Sequence, residues 1–316
     1  MPPIAHMNVI AFRQGQIDAL ARTLLASPAL YSAEMRHCLA LRTLVRAWSQ
    51  YREDRAIVTG ASVIGAECAA QRDAFLTLLA AALADRRSDL AGAIQRVRQI
   101  AIRPLANEAA ETAAIVDAGT AELAAVREVA ASPKLPSDPA ARLLTIVRVL
   151  RRSADVEGDA VSVTATSPCW AVNLLAVADP ALFGLSPDPL PCPGLLRRRL
   201  FRADRDVDRD RDDIIELLLK ALHETLCEIA RVPRAAGAFG EAFPGLRVNS
   251  RLFEAWMLLF GFGAMTPAQL ARALPCTKTG AGKLLSNLKD GHFAAHHGSH
   301  EPFGCAVSFP TAFPMV

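Results

Sequence analysis

The sequence predicts a mainly α-helical protein, and three observations support this fold class. Alanine and leucine dominate a chain of 316 residues of which 52% are hydrophobic, whereas only 6% are aromatic. Apolar side chains recur at helical spacing through residues 13–130, where no alternating strand pattern competes. Helix-capping residues precede three apolar segments near the C-terminus. We therefore expect an N-terminal helical bundle followed by a C-terminal helix-turn-helix, which could be a degenerate winged helix.

Four segments of the N-terminal region carry the helical pattern. The first covers residues 33–51, and Ser32 before it is a favourable N-cap. The next two cover residues 69–87 and 88–102, and a proline at position 104 separates them from a long fourth segment that ends near residue 130. We assign residues 1–131 to one helical domain.

Proline-rich stretches interrupt the middle of the chain, residues 132–244, which we expect to be a helical region with long loops. Residues 132–140 predict a turn before a helix at about 139–153. Residues 159–166 are the best candidate for a strand. Residues 179–194 hold five prolines, which exclude an α-helix and indicate a boundary or a surface loop.

The segment 197–232 contains two motifs that resemble metal sites but lack required residues. A calcium loop starting at Asp204 would need glycine and glutamate where Arg209 and Ile215 stand. A zinc helix would need a second histidine four residues after His223, where the chain has Cys227. Arginine and aspartate residues three and four apart indicate instead a solvated helix with ion pairs along its surface.

Charge and cysteine usage favour a cytoplasmic protein without a membrane partner. The net charge of +3 does not identify a partner by itself. The first residues lack the charged start and apolar run of a signal peptide, and the longest apolar stretch, 74–84, is too short to span a bilayer. The seven cysteines include no C-x-x-C pair, which is typical of reduced thiols.

Residues 245–316 are predicted to form a DNA-binding domain with an atypical tail. Asn249 and Ser250 can cap a helix over 251–260, and the glycines that follow should end it. Thr266, Pro267 and Gln269 then have the pattern of a capping box with proline at the first helical position.

The last two helices have the spacing of a helix-turn-helix. Thr277 can cap the final helix, which should end at Gly291. Its apolar positions are Ala281, Leu284, Leu285 and Leu288, and they should face Leu270 and Leu274 of the preceding helix. Ala271 is expected at a close helix crossing and Cys276 at a buried turn position.

The opposite face of the final helix is the predicted DNA-reading surface. The predicted DNA-binding residues are Lys278, Thr279, Gly282, Lys283, Ser286, Asn287, Arg251 and Arg272. Residues 245–295 carry six basic side chains against two acidic ones, and three of the chain's five lysines lie between 278 and 289. This concentration suits a surface that faces phosphates. Two alternatives remain, namely three helices that only pack together and a helix-turn-helix used for protein contacts.

The stretch Thr277–Leu285, "TKTGAGKLL", also looks like a phosphate-binding loop. A Walker loop needs G-x-x-x-x-G-K-[ST] after a strand, with a hydroxyl for magnesium. Here Thr277 replaces the first glycine, and Leu284 replaces the hydroxyl residue. We interpret the stretch as the exposed start of a DNA-reading helix.

Residues 246–291 also resemble the C-terminal DNA-binding domain of uncharacterised, mostly helical proteins from rhizobia and other alphaproteobacteria. That domain opens with an R-x-N-S-R-L stretch, which is present here from Arg247 to Leu252. The resemblance implies a helix-turn-helix of the winged-helix regulator class. Pro275 stands where the family's turn has glycine, so the turn must have another shape, since proline cannot take a positive φ. The wing's Thr-Gly-Arg is also missing.

The tail after Gly291 differs from a DNA-binding wing in composition. Residues 292–316 hold four of the seven histidines and no lysine or arginine. Either a shifted reading frame or a divergent hairpin, with 292–297 paired to 303–309, would explain this. In both cases the tail should contribute little to DNA affinity. A metal site from His292, His296, His297, His300 and Cys305 is disfavoured, because no zinc-finger spacing is present.

From these observations we expect a non-enzymatic protein that binds double-stranded DNA, without a cofactor or a metal and as a homodimer. Transcription regulation or plasmid maintenance is the expected role. The alternative is a scaffold protein whose helix-turn-helix mediates assembly.

Overall fold

The structure is a computed structural model that describes residues 3–57, 60–83, 87–101, 108–156, 167–186, 193–202, 207–247, 250–295 and 302–306. Eleven α-helices occupy most of this part of the chain. They are α1 (Pro3–Leu20), α2 (Ala33–Asp54), α3 (Ala69–Leu83), α4 (Ser88–Ile100), α5 (Glu108–Ala130), α6 (Pro139–Val156), α7 (Cys169–Ala178), α8 (Val207–Ala242), α9 (Leu252–Phe262), α10 (Pro267–Ala273) and α11 (Lys278–Asp290). The mainly α fold class is confirmed.

Shorter elements complete the description. A π-helical turn, Ala21–Leu25, continues α1, and two 3₁₀ turns cover Pro180–Phe183 and Arg198–Phe201. Three short strands, β1 (Ala264–Met265), β2 (Ala294–Ala295) and β3 (Phe303–Cys305), form an antiparallel sheet with β3 in the centre. No helix in the described ranges has both the length and the apolar character needed to cross a bilayer.

Helix α2 is the central element, because α3, α4, α7, α8 and α9 all pack against it. It begins as predicted, with the Ser32 hydroxyl accepting the Met35 N–H at 3.3 Å. Its C-terminal half buries Trp48 and Tyr51 in an aromatic cluster with Phe75 and Trp170. Buried side chains from α1 through β2 form one contiguous core. The three domain ranges predicted from the sequence remain a prediction.

Helix α7 was missed by the sequence analysis. All ten of its residues are buried, so it has no polar face and therefore no amphipathic period.

The predicted strand, residues 159–166, lies outside the described residues. Within the proline-rich stretch 179–194, residues 180–183 form a 3₁₀ turn in which Pro180 and Phe183 are buried, so this part is not a surface loop.

Helix α8 passes through Pro233 and ends at Ala242. A proline inside a helix frees the carbonyl four residues earlier. That carbonyl belongs to Ile229, and the buried Tyr31 hydroxyl donates to it at 3.5 Å. The prediction of a solvated Arg/Asp surface at the start of α8 is wrong for Asp210, which is fully buried and pairs with Arg151 at 2.7 Å.

A buried ion-pair cluster joins α2, α8 and α9. The Glu228 side chain is 1% exposed and accepts from Arg42 at 2.6 Å, from Arg46 at 2.8 Å and from Arg231 at 2.7 Å. Arg42 also donates to the Phe260 carbonyl of α9 at 2.9 Å. Burial raises the pKa of Glu228, but the arginines outweigh burial and hold that pKa below its usual value. The carboxylate therefore stays charged and fixes three helices.

A second buried network joins α2 to α7. The Asp54 carboxylate is 3% exposed and accepts from Asn173 at 2.8 Å, from Gln50 at 2.9 Å and from the Cys169 thiol at 3.5 Å. These donors are neutral. Burial raises the pKa of Asp54 from 3.8 to about 6, although the three hydrogen bonds act to lower it.

We predict that Glu228→Gln lowers the free energy of unfolding by about 3–5 kcal/mol, because it leaves buried arginine charge without its partner. Glu224→Gln is the matched control. Glu224 lies one turn earlier in α8, its side chain is 38% exposed, and its pair with Arg46 spans 3.4 Å. An exposed pair contributes less than about 1 kcal/mol. Urea unfolding measures both variants, and equal losses would contradict a central role for Glu228.

We also predict that Asp54 makes the fold more stable in mild acid. A carboxyl whose pKa is higher in the folded state than in the unfolded state binds its proton more tightly when folded, so its contribution to stability falls as the pH rises through the folded pKa. With a shift from 3.8 to about 6, the gain between pH 7.5 and pH 5.0 should be roughly 1 kcal/mol.

Asp54→Asn should remove this gain. Urea unfolding of wild type and variant at both pH values measures it, and the difference between the two proteins cancels the titration of other groups. Parallel pH profiles would show that Asp54 does not titrate in this window.

Candidate nucleic-acid interface

The region α9 to β3 starts from locally encoded caps. Thr266 accepts the Gln269 N–H at 3.2 Å, and the Gln269 side chain accepts the Thr266 N–H at 2.7 Å. Pro267 occupies the first turn of α10, so the predicted capping box is confirmed. Ser250 accepts the Leu252 N–H at the start of α9, while Asn249 lies outside the described residues.

Helix α9 ends two residues later than predicted. Gly261 lies inside the helix, and Gly263 ends it with a φ of 81°. A Cβ on Gly261 would lie 3.1 Å from Leu41 of α2, so this glycine allows the two helices to pack closely.

The turn between α10 and α11 contains no residue with a positive φ. Leu274 and Thr277 both have extended backbone, which is compatible with the fixed φ of Pro275 between them. The Thr277 side chain accepts the Gly280 N–H at 3.1 Å. The turn therefore forms without a positive φ, as Pro275 requires.

Helix α11 has two distinct faces. Ala281, Leu285 and Leu288 are fully buried against the rest of the region, as are Leu270 and Leu274. Leu284 is half-buried. Cys276 is also only half-buried, so the expectation of a fully buried turn cysteine is wrong. Ala271 is half-buried and packs against the core, and the close crossing expected there stays a prediction; Ala273 is the fully buried small residue of α10.

Five of the predicted DNA-binding side chains are exposed on the outer face of α11, and Gly282 is half-buried there. The exposed residues are Lys278, Thr279, Lys283, Ser286 and Asn287. Lys289 is also exposed and lies three turns after Lys278 on the same side. Lys289 was not among the predicted DNA-binding residues, although its spacing from Lys278 already indicated this position.

Arg251 and Arg272 lie outside α11 and bind backbone carbonyls. Arg251 donates to the carbonyl of Pro275 and so holds the turn. Arg272 donates through Nε to the Ile100 carbonyl at the end of α4, at 2.7 Å. Both residues are exposed, but each has a structural contact that its sequence position did not reveal.

The inner side of α10 is attached to the helical body. Arg96 of α4 donates to the Ala273 carbonyl at 2.6 Å, and the Gln269 side chain donates to the Ile64 carbonyl at 3.0 Å. Together with the Arg272 contact, these hydrogen bonds fix the position of α10. Helix α11 follows α10 and keeps its outer face open to solvent.

The residues after α11 belong to the fold. His292 adopts a φ of 64° at the helix end, and the Phe293 N–H then bonds to the Leu288 carbonyl at 2.8 Å. Phe293 is buried in an aromatic cluster whose other members are Phe239, Phe243, Phe253, Trp256 and Phe260. Strand β2 pairs with β3, as the divergent-hairpin alternative predicted, and β3 pairs with β1. The connection between β2 and β3 lies outside the described residues.

The metal and phosphate-loop motifs find no further support in the geometry. The Thr277 hydroxyl already accepts the Gly280 N–H, which a phosphate loop would direct at its ligand. His223 and Cys227 lie 3.7 Å apart, but among the described residues no group of three His, Cys, Asp or Glu side chains is arranged so that it could hold a metal ion. His296, His297 and His300 of the tail lie outside the described residues.

No family model matches this chain, and the searches of curated proteins and of solved structures also gave no match.

Proposed function

We propose that residues 245–306 form a winged helix-turn-helix that binds double-stranded DNA, with α11 as its recognition helix. The order α9, β1, α10, α11, β2, β3, with β3 between the other two strands, supports this proposal. In such a unit the second helix of the pair enters the major groove, and its N-terminal residues contact base edges.

The two-faced character of α11 is the observation that carries the proposal. Three fully buried residues on one side hold the helix, while the polar and cationic side chains on the other side have no cover in the described part of the chain. Three of the chain's five lysines lie on this exposed surface. Lysine and hydroxyl side chains are suitable donors to phosphate oxygens and base edges.

The glycines of α11 are not required by packing inside the protein. A Cβ on Gly282 would meet nothing within 4 Å, and one on Gly280 would make an ordinary contact of 3.4 Å with the Thr277 hydroxyl. Each glycine destabilises a helix by about 1 kcal/mol relative to alanine. Their presence fits a helix whose backbone must approach another molecule closely.

We infer a role in transcription regulation or plasmid maintenance, in the cytoplasm and as a homodimer. Helix-turn-helix proteins commonly bind two half-sites with two-fold symmetry, which requires two copies. The scaffold alternative draws on one observation, namely that the paired strands β2 and β3 carry no lysine or arginine. A wing without cations would suit a protein surface as well as a phosphate backbone.

We predict that Lys278→Ala combined with Lys283→Ala weakens binding of the full chain to a mixed-sequence duplex of about 30 base pairs. Each phosphate contact contributes about 0.9 to the slope of log K against log salt, so the slope should fall by nearly 2. Fluorescence anisotropy at several salt concentrations measures both quantities.

The matched control removes two exposed cations elsewhere, by Arg22→Ala and Lys134→Ala, and should leave the slope unchanged. An unchanged slope in a folded Lys278/Lys283 variant would exclude α11 as the recognition helix. Absence of duplex binding by wild type at low salt would favour the scaffold alternative.

We predict further that the chain does not bind ATP or GTP through residues 277–285. The loop lacks the first glycine and the magnesium hydroxyl, and it follows a helix and a turn rather than a strand. Calorimetric titration with magnesium and either nucleotide tests this. Micromolar binding that disappears in Lys283→Ala would contradict the prediction and support a nucleotide-dependent activity.

A further inference from the structure

Residues 193–202 form a segment that is tightly fixed to the helical body. Leu195, Leu196 and Leu200 are fully buried. The Asn173 side chain, 2% exposed, donates to the Leu196 carbonyl and accepts the Leu196 N–H, both at 3.1 Å. A buried amide therefore holds the backbone immediately before three consecutive arginines.

Gly194 brings this segment into close contact with α2. Its φ is 105°, which side chains rarely tolerate, and a Cβ would lie 2.9 Å from the Gln50 side-chain oxygen. Gln50 is itself fixed, since it donates to Asp54. The close approach and the positive φ both require glycine here.

The fixed segment borders two adjoining cavities. The larger, about 430 Å³, is lined by Glu53, Asp54, Leu217 and the arginines 197–199. The smaller, about 120 Å³, shares Arg197 and Leu217 with it and is also lined by Arg46, Gln50, Gly194, Lys220 and Glu224. The larger volume lies in the range typical of small-molecule sites, about 300–1,000 Å³.

Cations outnumber carboxylates on these walls. Arg46, Lys220 and the arginines 197–199 face only three acids, Glu53, Asp54 and Glu224. Arg197 pairs with Glu53 at 2.6 Å, and Arg199 pairs with Asp213 at 3.2 Å. Within the described ranges, Arg198 and Lys220 have no ion-pair partner. Among the described residues, the cavity walls therefore carry two cations that no ion pair neutralises.

We propose that these cavities bind a small phosphorylated anion, with Arg198 and Lys220 contacting its phosphate groups. Arginine side chains match phosphate geometry through two parallel hydrogen bonds, and a fixed backbone reduces the entropy that binding must overcome. The Gln50 side chain lines the smaller cavity and is a polar partner for the remainder of such a molecule. The proposal does not depend on DNA binding by α11.

Isothermal titration of the full chain with inorganic pyrophosphate tests the site directly. Wild type should bind in the micromolar to low millimolar range. Arg198→Ala and Lys220→Ala should each weaken binding about 10-fold, the effect of losing one charged hydrogen bond. Arg198→Lys should retain part of the affinity. Arg22→Ala, an exposed cation on another helix, is the charge-matched control and should bind as wild type does.

A thermal-shift series provides the second readout. Pyrophosphate should raise the melting temperature of wild type, and this rise should shrink in Arg198→Ala. The proposal is overturned if wild type shows no binding at a pyrophosphate concentration of about 5 mM, because a dissociation constant in the expected range would give measurable binding there. It is also overturned if folded Arg198→Ala and Lys220→Ala bind like wild type. If Arg198→Ala instead lowers only the salt slope for duplex DNA, the arginines contact a DNA backbone and the small-anion site is wrong.

Discussion

The fold depends on the charge of Glu228. This carboxylate is surrounded by Arg42, Arg46 and Arg231, and Arg42 continues to the last turn of α9. A buried pair of this kind contributes little net stability compared with an apolar replacement, but loss of one partner is costly because it leaves a buried charge unpaired. Through Arg42 the cluster also links α9 to α2 and α8, and the candidate DNA-binding region begins with α9.

That arrangement has a consequence for the candidate interface. Helix α10 is held from the inner side by the Arg96 side chain and the Ile100 carbonyl of α4, and by the Ile64 carbonyl in the segment before α3. Phe293 closes the aromatic cluster beneath α11. The interface is thus attached to the helical body through several independent contacts rather than by a linker. A change in the body that moved α4 would also move α10, which gives the body a physical route to influence the outer face of α11.

The sequence predicted those features that are encoded within a few residues. The capping box of Thr266 and Gln269, the N-cap of Ser32 and the two faces of α11 depend on local spacing, and the structure has each of them. Features that depend on distant partners were missed. Helix α7 is apolar on every side because other helices surround it, and Asp210 is buried because Arg151, 59 positions away, meets it. The candidate anion site was also missed, since it combines residues from α2, α8 and the segment 193–202.

The arginine content shows most clearly why composition alone could not locate the candidate nucleic-acid interface. The chain has 30 arginines and five lysines. At six helix C-termini an arginine from elsewhere donates to a carbonyl of the last turn; the pairs are Arg42–Phe260, Arg87–Val177, Arg96–Ala273, Arg127–Ala82, Arg142–Ala130 and Arg272–Ile100. The last carbonyls of a helix generally lack a hydrogen-bond partner within that helix, and a nearby cation is favourable at the negative end of a helix. Many arginines in this chain therefore complete the fold, and their charge is a poor guide to a nucleic-acid surface. The lysines of α11 have no such structural contact among the described residues, so they are the more informative cations and the better first targets for mutation.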